Sequence, residues 1–313
     1  MVEKTDFTFK SSAGKIDVFV RAWKDNEAEP QFILQIAHGM VEYIDRYDDF
    51  AQFICANGGA VYGNDHLGHG YTGENAGLLG YFAEKDGDRF VVEDMHKLTG
   101  LIRQRHPKTP IVLLGHSMGS FLTRIYATQY GGDVNAVIIM GTSGTNPSVA
   151  ILRAISKLGM IFGKAKKPAN LITKLAFGGY NKRYEEVNSP NEWLSRDRAV
   201  VQKYDADPWC TYRFTHSAFH DLANILDAMS GEKWAVKLEK DIPYLLIAGD
   251  MDPVGGYGEG VKEVYGLMKN AGVSDLEMKL YPGARHEILN ETNKREVYDD
   301  ILGWIDAHCV SAK

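Results

Sequence analysis

The stretch IVLLGHSMGS, residues 111–120, decides how this chain folds. A run of β-branched and leucine residues, buried-strand in character, ends at Gly115-His116-Ser117-Met118-Gly119 and passes straight into a helical pattern. This is the nucleophile-elbow pattern G-x-S-x-G, in which a serine at a sharp strand-to-helix turn projects its Oγ from the end of a sheet. Gly115 and Gly119 are needed because side chains two residues either side of the serine collide across so tight a turn. The helix that follows also presents unbonded N–H groups where negative charge develops on a substrate oxygen. Five-residue motifs arise by chance, so the elbow counts as catalytic only with partners elsewhere in the chain.

Upstream of the elbow, residues 5–23 alternate apolar and polar on both sides of Ser11-Ser12-Ala13-Gly14-Lys15, which predicts an opening hairpin. A strand over 31–37 ends at His38-Gly39-Met40. A helix over 47–57 carries Phe50, Phe53 and Ile54 at helical spacing and stops at Gly58-Gly59. A short strand over 60–62 leads into Asp65-His66-Leu67-Gly68-His69-Gly70, and a helix over 88–105 is stopped by Pro107. Downstream, a helix over 118–130 and a strand over 134–140 continue the alternation. The class is α/β: a mostly parallel central sheet with helices on both faces, binding ligands beyond the carboxyl ends of its strands.

The alternation breaks after residue 144. From about 147 to 220 the pattern is mainly helical, with no convincing buried strand. It resumes with a helix at 223–229, a strand at 244–248, a helix at 260–270, a strand at 276–281 and a closing helix at 294–308. The expected organisation is a core of residues 1–144 and 223–313, with 145–222 inserted as a helical cap, or lid, over the strand ends.

The apolar share of 44% and charged share of 24% suit a globular protein with a large core. A net charge of −6 and the lack of any arginine-rich or RNA-binding motif argue against nucleic acid as a partner. Cys55, Cys210 and Cys309 are odd in number, far apart and in no metal-ligand spacing, which points to structural thiols in a reducing, cytoplasmic setting. Neither the N-terminal stretch nor any other run has the composition of a signal peptide or a transmembrane segment.

A serine hydroxyl is a poor nucleophile at neutral pH and needs an imidazole to take its proton, which in turn needs a carboxylate to fix its tautomer. In elbow enzymes the order along the chain is serine, acid, histidine. Of ten histidines, His286 alone stands in a loop after the last strand, behind the turn Pro282-Gly283. The loop after the 244–248 strand offers Asp250 and Asp252. Asp252 is favoured because Pro253 pins the backbone beside it, while Asp250 is a competitor suited to bonding the loop's own backbone. Glu287 would point away from His286 in an extended segment. The oxyanion donors should be the backbone N–H groups of Met118 and Met40. His38 then braces its loop, and His66 and His69 make loop hydrogen bonds rather than bind metal.

With these residues in place, the chain resembles an α/β-hydrolase of the monoacylglycerol lipase and lysophospholipase-like group, which also includes serine aminopeptidase-like members. The marks are H-G-M-V-E-Y (38–43) with Arg46-Tyr47, D-H-L-G-H-G (65–70), G-H-S-M-G (115–119) and G-A-R-H (283–286). Trp193-Leu194-Ser195-Arg196-Asp197 and Asp205-Ala206-Asp207-Pro208 are similar to bacterial lysophospholipase-like members. The resemblance implies the α/β-hydrolase fold and ester hydrolysis through an acyl-serine, with no metal or organic cofactor. Its G-x-x-D turn ends on Asp252, and Met40 and Met118 fall on its oxyanion positions. The implied substrate is a small-molecule or lipid ester, a monoacylglycerol or a lysophospholipid.

The match is weakest in the cap. Residues 141–184 contain no acid but carry Arg153, Lys157, Lys164, Lys166, Lys167, Lys174, Lys182 and Arg183. Ile151, Leu152, Ile155, Leu158 and Phe162 share one helical face. Such a cap is suited to peripheral contact with anionic lipid; the alternative, favoured on sequence alone, is that this face packs onto the sheet domain. Glu185, Glu186 and Glu192 keep an aminopeptidase in view, since they could hold a substrate amine. A thioesterase or other hydrolase needs the same triad. A non-catalytic hydrolase-fold binding protein is the weakest reading, because serine and histidine both stand in motif.

Overall fold

Eight strands form one sheet in the order β1-β2-β4-β3-β5-β6-β7-β8. The structure is a computed structural model, and it describes residues 1–25 and 28–310. β1 (Val2–Lys10) and β2 (Asp17–Asp25) form the expected hairpin, in register from Val2 opposite Asp25 to Lys10 opposite Asp17. β2 pairs antiparallel with β4 (Gly59–Asn64). From β4 onward all pairings are parallel, through β3 (Phe32–Ala37), β5 (Ile111–His116), β6 (Ala136–Met140), β7 (Tyr244–Gly249) and β8 (Leu276–Tyr281).

Every residue of β3 to β7 is buried, as strands covered on both faces must be. One face carries α1 (Asp48–Ala56) and α11 (Lys294–Ile305), which pack Phe50, Ile54, Val297 and Ile301 against Leu34, Leu114 and Ile247. The other carries α3 (Gly87–Arg105), α4 (Met118–Tyr130), α9 (His216–Ala228) and α10 (Glu259–Asn270). A short α2 (Gly70–Asn75) follows β4. Since β4 lies beyond β3 and β6 beyond β5, the connections leaving β3 and β5 run in opposite directions. That opens a crevice at their carboxyl ends.

Between β6 and α9 run α5 (Val149–Gly159), α6 (Asn170–Phe177), α7 (Arg198–Ala206) and α8 (Pro208–Thr211). This segment has two halves. The later half is tied to the loops at the strand ends: Tyr204 Oη donates to Val41 O, Arg285 donates to Ser195 O, and Arg196 pairs with Glu291. In the earlier half, Leu152 and Ile155 lie partly buried against the core, but Ile151, Leu158 and Phe162 are exposed. The expectation that this whole apolar face packs onto the sheet is therefore corrected. Ile151 and Leu158 stand on the side of α5 away from the core, and the helix breaks at Phe162 and Gly163, where Gly163 takes φ 73°, so Phe162 leaves the 3.6-residue register.

A second correction concerns the end of the insertion. α9 begins at His216, capped by Thr215 Oγ1 accepting from Ala218 N–H, so a boundary at residue 222 falls inside a helix.

Candidate active site

The elbow is set by backbone contacts that leave no room for alternatives. A Cβ on Gly115 would stand 2.3 Å from Gly119 O, and one on Gly119 would stand 2.0 Å from Ala37 O. Ser117 is held at φ 54°, a region that a non-glycine residue rarely occupies. Its N–H donates to Met140 O, and its carbonyl accepts from Ser120 N–H and Ser120 Oγ. Within the run 111–120 only Ser117 reaches the surface in part; the other nine residues are buried.

His286 and Asp252 come from two separate strand-end loops and meet in the interior. His286 Nδ1 lies 2.9 Å from Asp252 Oδ2, and the two side chains are 2% and 0% exposed. The second carboxylate oxygen of Asp252 accepts from Val254 N–H at 2.8 Å, in the turn that Pro253 stiffens. Asp250 bonds backbone, though of the other loop rather than its own: Oδ1 accepts from Gly283 N–H at 2.6 Å and braces the loop leading to His286. Glu287 points away from His286 and grips Arg46 with both oxygens at 2.7 Å. Trp193, from the helical insertion, lies over the His286 ring with centroids 5.0 Å apart. Its carbonyl accepts from His286 N–H.

The loop after β3 approaches the serine closely, a Cβ on Gly39 falling 3.1 Å from Ser117 Cβ. Met40 and Met118 flank that approach, and among the described residues neither backbone N–H has a hydrogen-bond acceptor. Unbonded N–H donors beside a serine hydroxyl are able to stabilise negative charge on a substrate oxygen.

Behind them lies a buried charged cluster that sequence reasoning missed. Glu42 accepts from Gly39 N–H at 2.5 Å, Tyr47 Oη at 2.9 Å, His116 Nδ1 at 3.0 Å and Arg46 at 2.8 Å. Burial alone would raise its pKa, but His116 and Arg46 outweigh that and hold the carboxylate well below its ordinary range. Burial likewise opposes a charge on His116, yet the Glu42 partner raises its pKa. In the sequence Glu42, Arg46 and Tyr47 stand within six residues as marks of the family resemblance, and nothing there shows that they fold inward onto one point.

His38, His66 and His69 form a buried histidine group, and among the described residues no acid or thiol is placed to complete a metal site with them. His66 N–H donates to His38 Nε2 at 3.0 Å, and His69 Nδ1 lies 2.9 Å from Leu67 O. Burial lowers the pKa of His38 to about 4 and of His69 to about 3, so both are neutral. Cys55, Cys210 and Cys309 are all free thiols.

Glu186 is paired with Arg198, and Glu192 with Arg285. Both acids line a polar cavity of about 460 Å³ that also contains Arg183, Arg196 and Glu185.

Residues 28–293 match the family model described as serine aminopeptidase, S33. A monoacylglycerol lipase of Mycolicibacterium smegmatis is 29% identical over 302 residues, spanning 95% of this chain and 96% of the relative. The human monoglyceride lipase is 26% identical over 306 residues, spanning 94% and 88%. The crystal structure of a thermostable carboxyl esterase from Bacillus coagulans, in complex with glycerol, superposes with a TM-score of 0.92 at 32% identity, covering 98% of this chain and 99% of that one. The fold is that of the α/β-hydrolases, and the chain belongs to the serine aminopeptidase S33 family.

Proposed function

We propose that this carboxylic ester hydrolase cleaves monoacylglycerols or related single-chain lipid esters, with Ser117, His286 and Asp252 as its triad. Ser117 Oγ attacks the ester carbonyl carbon while His286 Nε2 takes its proton. Asp252 fixes the Nδ1–H tautomer and stabilises the imidazolium. The carbonyl oxygen, now negative, accepts from Met40 N–H and Met118 N–H. The tetrahedral intermediate collapses as His286 returns the proton to the leaving alcohol. Water, deprotonated by the same histidine, then releases the acid from the acyl-serine. No metal or organic cofactor has a step in this sequence.

The observation that carries the proposal is the buried His286–Asp252 contact at 2.9 Å, at strand ends shared with Ser117 and two unbonded N–H groups. Ser117→Ala should abolish turnover of a p-nitrophenyl butyrate substrate with an unchanged circular dichroism spectrum; a Ser117→Ala protein that still turns over the ester would refute it. Of the three acids that could hold a substrate amine, Glu186 and Glu192 are paired with arginines of this chain, and Glu185 alone has no ion pair among the described residues. Monoacylglycerols should accordingly outpace aminoacyl amides in a direct comparison.

We read the segment from about 145 to Thr215 as the cap over this site. Its first half supports a lipid partner: Ile161, Phe162, Leu171 and Leu175 are all exposed, Lys164, Lys166, Lys167 and Lys174 lie among them in sequence, and Lys157 lies just before them. Apolar side chains facing water beside cations suit the surface of an anionic bilayer or micelle. No helix among the described residues is long and apolar enough to cross a membrane. We infer a cytoplasmic enzyme, consistent with its free thiols, that collects substrate from lipid through this face.

A further inference from the structure

Two side chains beside the oxyanion loop hold the peptide groups on either side of Gly39, and their hydrogen bonds have a directional consequence. Gly39 O is only an acceptor, so His38 Nδ1, at 2.8 Å from it, must carry the proton. His38 Nε2 is then the lone pair that accepts from His66 N–H at 3.0 Å. The imidazole is fully satisfied as this one neutral tautomer, and at 0% exposure it has no water to turn towards. On the other side, Gly39 N–H donates to Glu42 Oε1 at 2.5 Å. Across the planar, trans Gly39–Met40 amide the N–H points opposite to the C=O. Fixing Gly39 O on His38 therefore turns Met40 N–H away from His38.

We propose that His38 and Glu42 are positioning residues that clamp the peptide groups flanking Gly39 and so aim Met40 N–H at the developing oxyanion. The inference rests on Met40 serving as an oxyanion donor in the hydrolase proposed above. The loop needs such a clamp. Val41, a β-branched residue, is held at φ 57°, a strained conformation that a freed loop would leave. Glycine at 39 has no side chain to hinder rotation of either peptide. Glu42 is itself immobilised: Tyr47 and His116 share its Oε1, while Arg46 bridges its Oε2 to Glu287, the residue after His286. One carboxylate thus ties the oxyanion loop to the loop carrying the base. On the far side, Tyr204 Oη holds Val41 O at 2.9 Å.

The test is a pair of substitutions at each position, assayed with the full chain. His38→Asn keeps an amide N–H near the Nδ1 position, and His38→Phe removes it. Glu42→Gln keeps an acceptor for Gly39 N–H, and Glu42→Leu removes it. Loss of an oxyanion donor costs about 10²–10³-fold in kcat; a misaimed donor should cost on the order of 10–10²-fold. We expect that loss for His38→Phe and Glu42→Leu on a p-nitrophenyl ester, with KM within about threefold. Affinity for a trifluoromethyl ketone, which binds as a tetrahedral oxyanion, should fall in parallel. His38→Asn and Glu42→Gln should each retain at least several-fold more activity than their apolar counterparts. The proposal is overturned if the polar and apolar variants of each pair lose equally, or if kcat is unchanged while KM rises. If His38→Phe does not fold, the Glu42 pair decides. Ser117→Ala on the same ester separates the two levels. An active Ser117→Ala removes the hydrolase proposal itself, whereas an inactive one beside a fully active His38→Phe removes only the clamp.

Discussion

Asp250 and Asp252 stand two residues apart in one loop and hold different atoms, so substituting them separates stability from chemistry. Asp252 touches His286 and Val254 N–H, whereas Asp250 touches Gly283 N–H. Asp252→Asn keeps the volume but presents an amide that no longer fixes the Nδ1–H tautomer. Its kcat on a soluble ester should fall by about 10³–10⁴-fold with little change in melting temperature. Asp250→Ala should act the other way, lowering stability by about 1–2 kcal/mol in urea titration through the lost charged hydrogen bond. Its kcat should fall less than tenfold. A larger catalytic loss for Asp250→Ala than for Asp252→Asn would reverse the assignment. His286 was legible in the sequence because only one histidine follows the last strand within a loop. Asp252 is favoured in the sequence through Pro253 and the G-x-x-D turn, but the partner of each aspartate, the His286 ring or Gly283 N–H, shows only in the fold.

At the scale of elements, helical periodicity located α5, but period alone does not say whether an apolar face has a partner. Leu152 and Ile155 have one and Ile151 and Leu158 do not, though all four share the pattern. The break at Phe162–Gly163 was equally hidden, because glycine within an apolar run signals a kink only where its φ turns positive. The start of α9 was misplaced because Thr215 acts as a cap only once the chain around it has folded. By contrast, β3 to β7 are buried on both faces and read from sequence as short continuous apolar runs, which left little ambiguity. If the exposed apolar side chains just after α5 and on α6 meet lipid, replacing Ile161, Phe162, Leu171 and Leu175 together by serine should abolish co-sedimentation with vesicles of phosphatidylglycerol and phosphatidylcholine. It should slow hydrolysis of monoacylglycerol presented in those vesicles. Turnover of a short soluble ester should not change, because the four side chains are 64–70% exposed and make few internal contacts to lose. Equal vesicle binding by the quadruple variant and the parent would exclude this face as the lipid contact.

Across the whole molecule, the buried charges fall into two kinds. The Glu42 cluster is compensated: Arg46, His116 and hydrogen bonds surround the carboxylate, and its acidity is increased. Asp221 on α9 is not. It is 6% exposed, its Oδ2 has no hydrogen-bond partner among the described residues, and it faces the start of α3 with Asp88 and Asp86 close by. Burial, reinforced by Asp88, raises its pKa from 3.8 to about 8. A carboxyl whose pKa is higher in the folded than in the unfolded state favours folding while both forms are protonated. That advantage begins to fall as pH rises past 3.8 and is lost once pH passes about 8. Within that window the cost approaches about 1.4 kcal/mol for each pH unit. Asp221→Asn removes the titration and keeps the shape. Its stability by urea titration should match the parent near pH 4 and exceed it increasingly towards pH 8, while kcat on a soluble ester stays unchanged at each pH. Parallel stability curves for the two proteins from pH 4 to 9 would mean that Asp221 stays ionised in the fold and that water or a shifted neighbour compensates it.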